Sequence, residues 1–190
     1  MATYRLSRAV PLAALATLCA AAEADAPSPL DAAEVCFTLE GQDCGAFAIA
    51  AIDEARRTLL VQAYNFTEPR IIAAIVAAHR RGVEVMVIVD KITARQRGEG
   101  VDRVAAAGIP TFVDRGPRIA HNKVMVIDRE TVLTGSFNWS VSAERFNAEN
   151  LIALKSPALA AFYADNFAHR REVSVPYVPG LSRLDDEEEP

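Results

Sequence analysis

The most informative part of this sequence is a histidine and a lysine that are separated by one residue. His121 and Lys123 are followed by Asp128, in a chain that has only three histidines and three lysines. In an extended strand, residues i and i+2 project to the same side, so we expect the imidazole and the ammonium to lie together. An imidazole can attack phosphorus as a nucleophile, and an adjacent ammonium neutralises phosphate oxygens. Asp128 has the opposite strand parity, which favours a structural anchor over a catalytic group.

A second group of polar residues follows this pair. Ser136 and Asn138 share a face if the chain is extended, and they offer a hydroxyl and an amide to a phosphate. Glu149 precedes a later apolar run, and a carboxylate there could orient the histidine through its second ring nitrogen. Two further candidates for substrate binding are Arg118 and Trp139. Arg118 is equally well explained as a surface residue, and Trp139 either stacks on a base or packs beneath the site.

Together these residues resemble the signature block of the phospholipase D superfamily. The block reads His121-x-Lys123-x4-Asp128, then Gly135-Ser136-x-Asn138, then Glu149-Asn150. The resemblance extends to residues 63–67 and 81–85 and covers roughly residues 35–172. The pattern is similar to that of the small bacterial endonucleases with one such motif per chain, and also to the Zucchini-type mitochondrial members.

The resemblance implies a homodimer with one active site shared between two chains. His121 of one protomer would form a phosphohistidine, while His121 of the partner subunit would protonate the leaving oxygen and then activate water. Lys123 and Asn138 would hold the phosphate oxygens, Ser136 would support them, and Glu149 would orient His121. No metal and no cofactor are implied, because the paired lysines supply the positive charge that a metal ion provides in other phosphodiesterases.

The elements that must position these residues alternate between strands and helices. Apolar patterning predicts strands at 35–39, 58–64, 83–89, 111–113, 123–127, 131–133 and 151–154, and helices at 46–56, 68–82, 100–107 and 157–171. This order predicts an α/β fold in which helices flank a mixed sheet, which is the sandwich that the resemblance also implies. Tyr64 and Phe66 are predicted to be core residues.

The chain ends differ in composition from the part between them. Arg5 and Arg8 precede an apolar run, and Ala22-Glu23-Ala24 offers a cleavage site, so residues 1–24 are predicted to be a signal peptide. A buried N-terminal helix is the alternative. We expect residues 25–180 to form one catalytic domain and residues 181–190 to be an acidic, solvated tail. The protein is therefore predicted to be exported, either to the periplasm or out of the cell.

Two cysteines would remain after removal of the leader. Cys36 and Cys44 lie eight residues apart, and in an exported chain this spacing favours a disulfide. Two separate thiols are the alternative. A metal site is not favoured, because no histidine lies near them in the sequence.

Charge does not identify the substrate. The formal net charge is −5, which is unusual for a protein that binds nucleic acid. However, five of the negative charges lie at 185–189, and without them the folded part is nearly neutral. The first hypothesis is a nuclease of low sequence specificity that cuts DNA, RNA or both. A phospholipid phosphodiesterase is the second, and a binding module without catalysis is the third. No obvious basic amphipathic helix is present, which mildly favours nucleic acid over lipid.

Overall fold

The structure is a computed structural model that describes residues 31–95 and 99–179, apart from the side chain of Glu99. The eight strands within these ranges are β1 (Ala32–Phe37), β2 (Thr58–Ala63), β3 (Glu84–Asp90), β4 (Thr111–Asp114), β5 (Val124–Ile127), β6 (Thr131–Gly135), β7 (Asn150–Lys155) and β8 (Val175–Pro176). The helices are α1 (Cys44–Glu54), α2 (Pro69–Arg80), α3 (Lys91–Arg95), α4 (Glu99–Ala106), α5 (Val141–Arg145) and α6 (Pro157–Glu172).

The strands form one mixed sheet in the order β1-β7-β6-β5-β2-β3-β4-β8. Strands β2, β3 and β4 are parallel, and every other pairing is antiparallel. The main core packs α1, α2 and α4 against one face of the sheet, while α6 covers the other face through Ala160, Ala164 and Phe167. The predicted α/β fold with helices on a mixed sheet is confirmed.

Helix α2 shows how local sequence determines an element. The Glu68 carboxylate accepts a hydrogen bond from the Arg70 backbone N–H, and Pro69 occupies the first helical position, where its missing N–H costs nothing. The apolar residues Ile71, Ile72 and Ile75 repeat at helical spacing and are buried. The chain leaves the helix at Gly82, whose φ of 92° suits glycine.

Three short elements were not predicted, namely α3, α5 and β8. They contain five, five and two residues, which is too few for a periodic pattern to be detected. The predicted strand at 123–127 begins one residue later, so His121 and Lys123 lie in the extended segment just before β5.

The predicted signal peptide at 1–24 and the predicted acidic tail at 181–190 lie outside the described residues. The single-domain boundary at 25–180 likewise stays a prediction. Within the described part of the chain, no helix is both long enough and apolar enough to cross a membrane.

Candidate active site

The segments that carry the predicted site residues His121, Asn138 and Glu149 lie at one edge of the sheet. The carboxyl end of β2 pairs with the amino end of β5 through Gln62 and Val124, and the carboxyl end of β6 pairs with the amino end of β7 through Gly135 and Leu151. The sheet order therefore brings the segment before β5, the segment after β6 and the segment before β7 to the same edge. These three segments carry His121, Asn138 and Glu149 respectively.

His121 and Lys123 are in direct contact, as their spacing predicts. The Lys123 Nζ lies 2.9 Å from His121 Nδ1 and 3.1 Å from Nε2, and it donates to the His121 carbonyl oxygen at 2.8 Å. The His121 residue is exposed, whereas Lys123 is only 7% exposed. The pair thus presents an accessible imidazole with a buried cation against it.

The electrostatic environment of Lys123 is set by burial and by one carboxylate. Burial lowers the pKa of the Lys123 ammonium below its ordinary value, and the negative charge of Glu149 partly offsets that effect. Glu149 therefore acts on the positive charge at the centre of the site.

Tyr64 completes the immediate surroundings of the pair. Its ring centroid is 4.3 Å from that of the His121 imidazole, and the Lys123 Nζ lies 5.0 Å from the Tyr64 ring centroid. The hydroxyl of Thr93 donates to the Tyr64 carbonyl oxygen and so fixes this residue from α3. The prediction that Tyr64 is a core residue is wrong, because it follows β2 at the site edge and is only partly buried. Phe66 is 1% exposed, as predicted.

The two residues on either side of His121 are held by side chains from neighbouring strands. The Asp90 carboxylate accepts from the Ala120 N–H at 2.6 Å, and the Asn122 amide donates to the Gln62 side-chain oxygen at 2.8 Å. Asp90 and Gln62 were not predicted as site residues. Asp90 directly follows the strand predicted at 83–89 and is the last residue of β3, and a carboxylate in that place was the available signal.

The remaining polar residues take different positions. Ser136 is exposed, and its hydroxyl oxygen accepts from the Asn150 backbone N–H at 3.1 Å. The side-chain oxygen of Asn138 is buried without a hydrogen-bond partner among the described residues. The Glu149 carboxylate accepts from the Asn147 amide at 2.9 Å. Within the described ranges no hydrogen bond joins Glu149 to His121, so the predicted orienting contact is not formed in this structure.

Trp139 requires a correction. The ring is 0% exposed, and its indole N–H donates to the Gln62 carbonyl oxygen at 3.0 Å. A fully buried indole cannot stack on a base, so the assignment of Trp139 as a substrate-binding residue is wrong. It packs beneath the site, which is the other interpretation that the sequence allowed.

Asp128 lies at the opposite end of β5 from His121. Its carboxylate accepts from the backbone N–H groups of Arg56, Arg57 and Thr58 at 2.9, 2.7 and 2.8 Å. Burial raises its pKa, but these three donors together outweigh burial and hold the pKa below its ordinary value of 3.8. Asp128 itself has a φ of 54° and is a turn residue, so strand parity does not describe its position.

Three other predictions concern Arg118, the two cysteines and the absence of a metal ion. Arg118 is exposed in the segment between β4 and β5, and its role in binding stays a prediction. Cys36 and Cys44 form a disulfide with a Cα–Cα distance of 5.7 Å. Among the described residues, no three His, Cys, Asp or Glu side chains form a group suited to a metal ion. The expectation of a reaction without metal remains to be tested.

Comparison with known proteins gives the same family from sequence and from fold. Residues 48–171 match the family described as cardiolipin synthase, PLD-like domain. A phospholipase D of Rickettsia bellii is 37% identical over 136 residues, which are 72% of this chain and 67% of that protein. A mitochondrial cardiolipin hydrolase of Chlamydomonas reinhardtii is 33% identical over 116 residues, which are 61% of this chain and 52% of that protein.

Solved structures agree with this result. The phospholipase D family member Nuc from Salmonella typhimurium superposes with a TM-score of 0.74 at 34% identity, covering 77% of this chain and 97% of that chain. NucT from Helicobacter pylori has the same fold, with a TM-score of 0.68 at 22% identity. Fold and site together define a phosphodiester hydrolase. The chain belongs to the phospholipase D superfamily.

Proposed function

We propose that this protein is an endonuclease of low sequence specificity that hydrolyses DNA, RNA or both through a phosphohistidine at His121. The observation that supports this most directly is the exposed His121 imidazole in contact with the buried Lys123 ammonium. An exposed nucleophile can reach a phosphodiester within a long polymer, because the substrate does not have to enter a closed cavity. No metal and no cofactor take part.

The reaction proceeds in two displacements at phosphorus. In the first, a ring nitrogen of His121 forms a bond to phosphorus while the bond from phosphorus to the leaving oxygen breaks, and an acid gives that oxygen a proton. In the second, the same group removes a proton from water as the water oxygen attacks phosphorus, and the bond to His121 breaks. Lys123 and Asn138 bind the phosphate oxygens, Ser136 supports them, and Glu149 orients His121.

The acid must lie on the opposite side of phosphorus from His121. A two-fold homodimer supplies it, because the same sheet edge of a second chain brings His121 of the partner subunit to that side. Each dimer then has one composite site, in which two Lys123 ammonium groups stabilise the negative charge on phosphate.

Nucleic acid is favoured as substrate by the resemblance to small single-motif endonucleases. The match to nearly the whole length of Nuc also supports a compact enzyme built from one such unit. A basic side chain in the loop before His121, Arg118, is available to the phosphate backbone.

A phospholipid phosphodiesterase is the second candidate function. The names of the relatives, phospholipase D and mitochondrial cardiolipin hydrolase, favour it. So do two large apolar side chains near Glu149, Leu39 and Phe146, which are 62% and 74% exposed. An apolar rim of this kind suits a lipid surface.

We place the protein in an oxidising compartment, either the periplasm or the exterior of the cell. The Cys36–Cys44 disulfide supports this, because disulfides persist in such compartments and are rare in the cytosol.

One experiment tests the substrate and the absence of metal together. Purified protein is incubated with plasmid DNA, with RNA and with phosphatidylcholine vesicles, each with and without EDTA. We expect DNA, RNA or both to be cut at a rate that EDTA does not change, and His121→Ala to abolish cutting. Hydrolysis of the phospholipid without cutting of either nucleic acid would contradict the nuclease and support the phospholipid phosphodiesterase. Activity that disappears in EDTA and returns with Mg²⁺ would contradict the metal-free mechanism.

A further inference from the structure

Thr38 is a buried polar residue that lies just past the end of β1, and its hydroxyl has two short hydrogen bonds and a longer one of 3.5 Å to the Glu149 carbonyl oxygen. The hydroxyl donates to the Asn147 carbonyl oxygen at 2.6 Å and accepts from the Glu149 backbone N–H at 2.7 Å. The Thr38 backbone N–H donates to the Glu149 carbonyl oxygen at 3.1 Å. The residue is 3% exposed. All of these contacts go to the short segment that carries Glu149.

These contacts fix the position of the Glu149 backbone beside the site. The ladder between β1 and β7 ends at the pair Phe37 and Asn150, so Glu149 lies one residue outside the regular sheet. The Thr38 hydroxyl continues the connection by holding Asn147 and Glu149 on either side of Ala148. The Asn147 amide in turn donates to the Glu149 carboxylate. Backbone and side chain of Glu149 are thus both held through contacts that begin at Thr38.

The chain just before Thr38 is held by a disulfide. Cys36, two residues before Thr38, is bonded to Cys44 in the first turn of α1. Thr38 lies before the residues that match the family, which begin at position 48. Its role therefore does not follow from the family match.

We propose that Thr38 is a positioning residue that orients the carboxylate of Glu149 toward the catalytic pair. The proposal rests on the role given to Glu149 under the proposed function. A hydroxyl is required at position 38, because one atom must both donate and accept. Serine preserves this ability, whereas valine has nearly the same shape as threonine and lacks it.

The test is a double-mutant cycle with Glu149→Gln, measured as kcat and KM on bis-p-nitrophenyl phosphate. We expect Thr38→Val to lower kcat about tenfold or more with little change in KM. A displaced catalytic group slows the chemical step more than it weakens substrate binding. Thr38→Ser should restore kcat to near that of the wild type. In the Glu149→Gln background, Thr38→Val should have no further effect, because its action passes through that carboxylate.

A matched control separates positioning from stability. Thr111 is also buried, and its hydroxyl donates to the Ile109 carbonyl oxygen at 2.9 Å, at the start of β4 and away from the site edge. Thr111→Val should change the melting temperature without changing kcat. If Thr38→Val fails to fold, Thr38→Ala carries the same expectations.

The outcomes separate a failure of the role proposed for Thr38 from a failure of the role proposed for Glu149. If the effects of Thr38→Val and Glu149→Gln on kcat multiply, or if Thr38→Val only lowers the melting temperature, Thr38 is not a positioning residue. If Glu149→Gln keeps full kcat, the role of Glu149 in the proposed function fails, and the role of Thr38 fails with it.

Discussion

The Asp90 carboxylate accepts a hydrogen bond of 2.6 Å from the backbone N–H of Ala120, the residue immediately before His121. Asp90 is 0% exposed, and its second oxygen accepts from the Ile92 N–H at 2.7 Å. One buried side chain at the end of β3 thus holds the backbone N–H of the residue that precedes His121. This relationship has a direct consequence for mutagenesis.

Asp90→Asn should weaken both stability and catalysis. An asparagine has one acceptor oxygen instead of two, so one partly buried backbone N–H loses its acceptor, at a cost of about 1–3 kcal/mol. We expect a lower urea midpoint and, because Ala120 is no longer held, a lower kcat in the fraction that is folded. Asp53→Asn is a suitable control because Asp53 is exposed. An unchanged kcat in folded Asp90→Asn protein would show that Asp90 does not position His121.

Asp128→Asn should act on stability and on its pH dependence, not on turnover. The pKa of Asp128 is lower in the folded state, so its contribution to stability is complete above pH 3.8 and is lost as pH falls through the lowered value. We expect the variant to be about 1–2 kcal/mol less stable near neutral pH, with a difference that shrinks under acid. Urea unfolding across this pH range measures it, with kcat per folded molecule unchanged. A stable but inactive variant would assign Asp128 a catalytic role instead.

Thiol titration tests the Cys36–Cys44 bridge. The chain has three cysteines, so denatured and unreduced full-length protein should show one thiol, Cys19, and three after reduction. The closed loop is short, and we expect Cys36→Ser with Cys44→Ser to cost about 2 kcal/mol of stability. Three thiols before reduction would rule out the bridge.

Mixing chains tests the shared active site. If wild-type and His121→Ala chains are refolded together in equal amounts and pair at random, only wild-type pairs keep both histidines. Activity should then fall to about a quarter of an all-wild-type sample at the same total protein. Independent sites would leave about half of the activity. An activity that is linear in the mutant fraction would refute the composite site and require an acid within the same chain.

Local sequence was sufficient for the longer helices and strands and for the contact between His121 and Lys123. The periodicity and capping of α2 and the apolar run of β3 were readable because neighbouring residues alone create them. The contact between His121 and Lys123 was readable for the same reason, since two residues of an extended segment meet without any other part of the chain. The same reasoning did not extend to Asp128, because its position depends on a turn with positive φ.

The surroundings of the pair were decided by tertiary structure. Tyr64 reaches His121 only because β2 lies between β3 and β5 in the sheet, and Thr38 reaches Asn147 across 109 residues of sequence. The sequence allowed Trp139 either to stack on a base or to pack beneath the site. Only the fold shows that its ring is fully buried and donates to the Gln62 carbonyl oxygen. Strand order places distant residues at one edge, and nothing in the local pattern of a strand specifies which strand becomes its neighbour. The sequence therefore predicted the contact between His121 and Lys123, and the sheet topology decided which residues surround that pair.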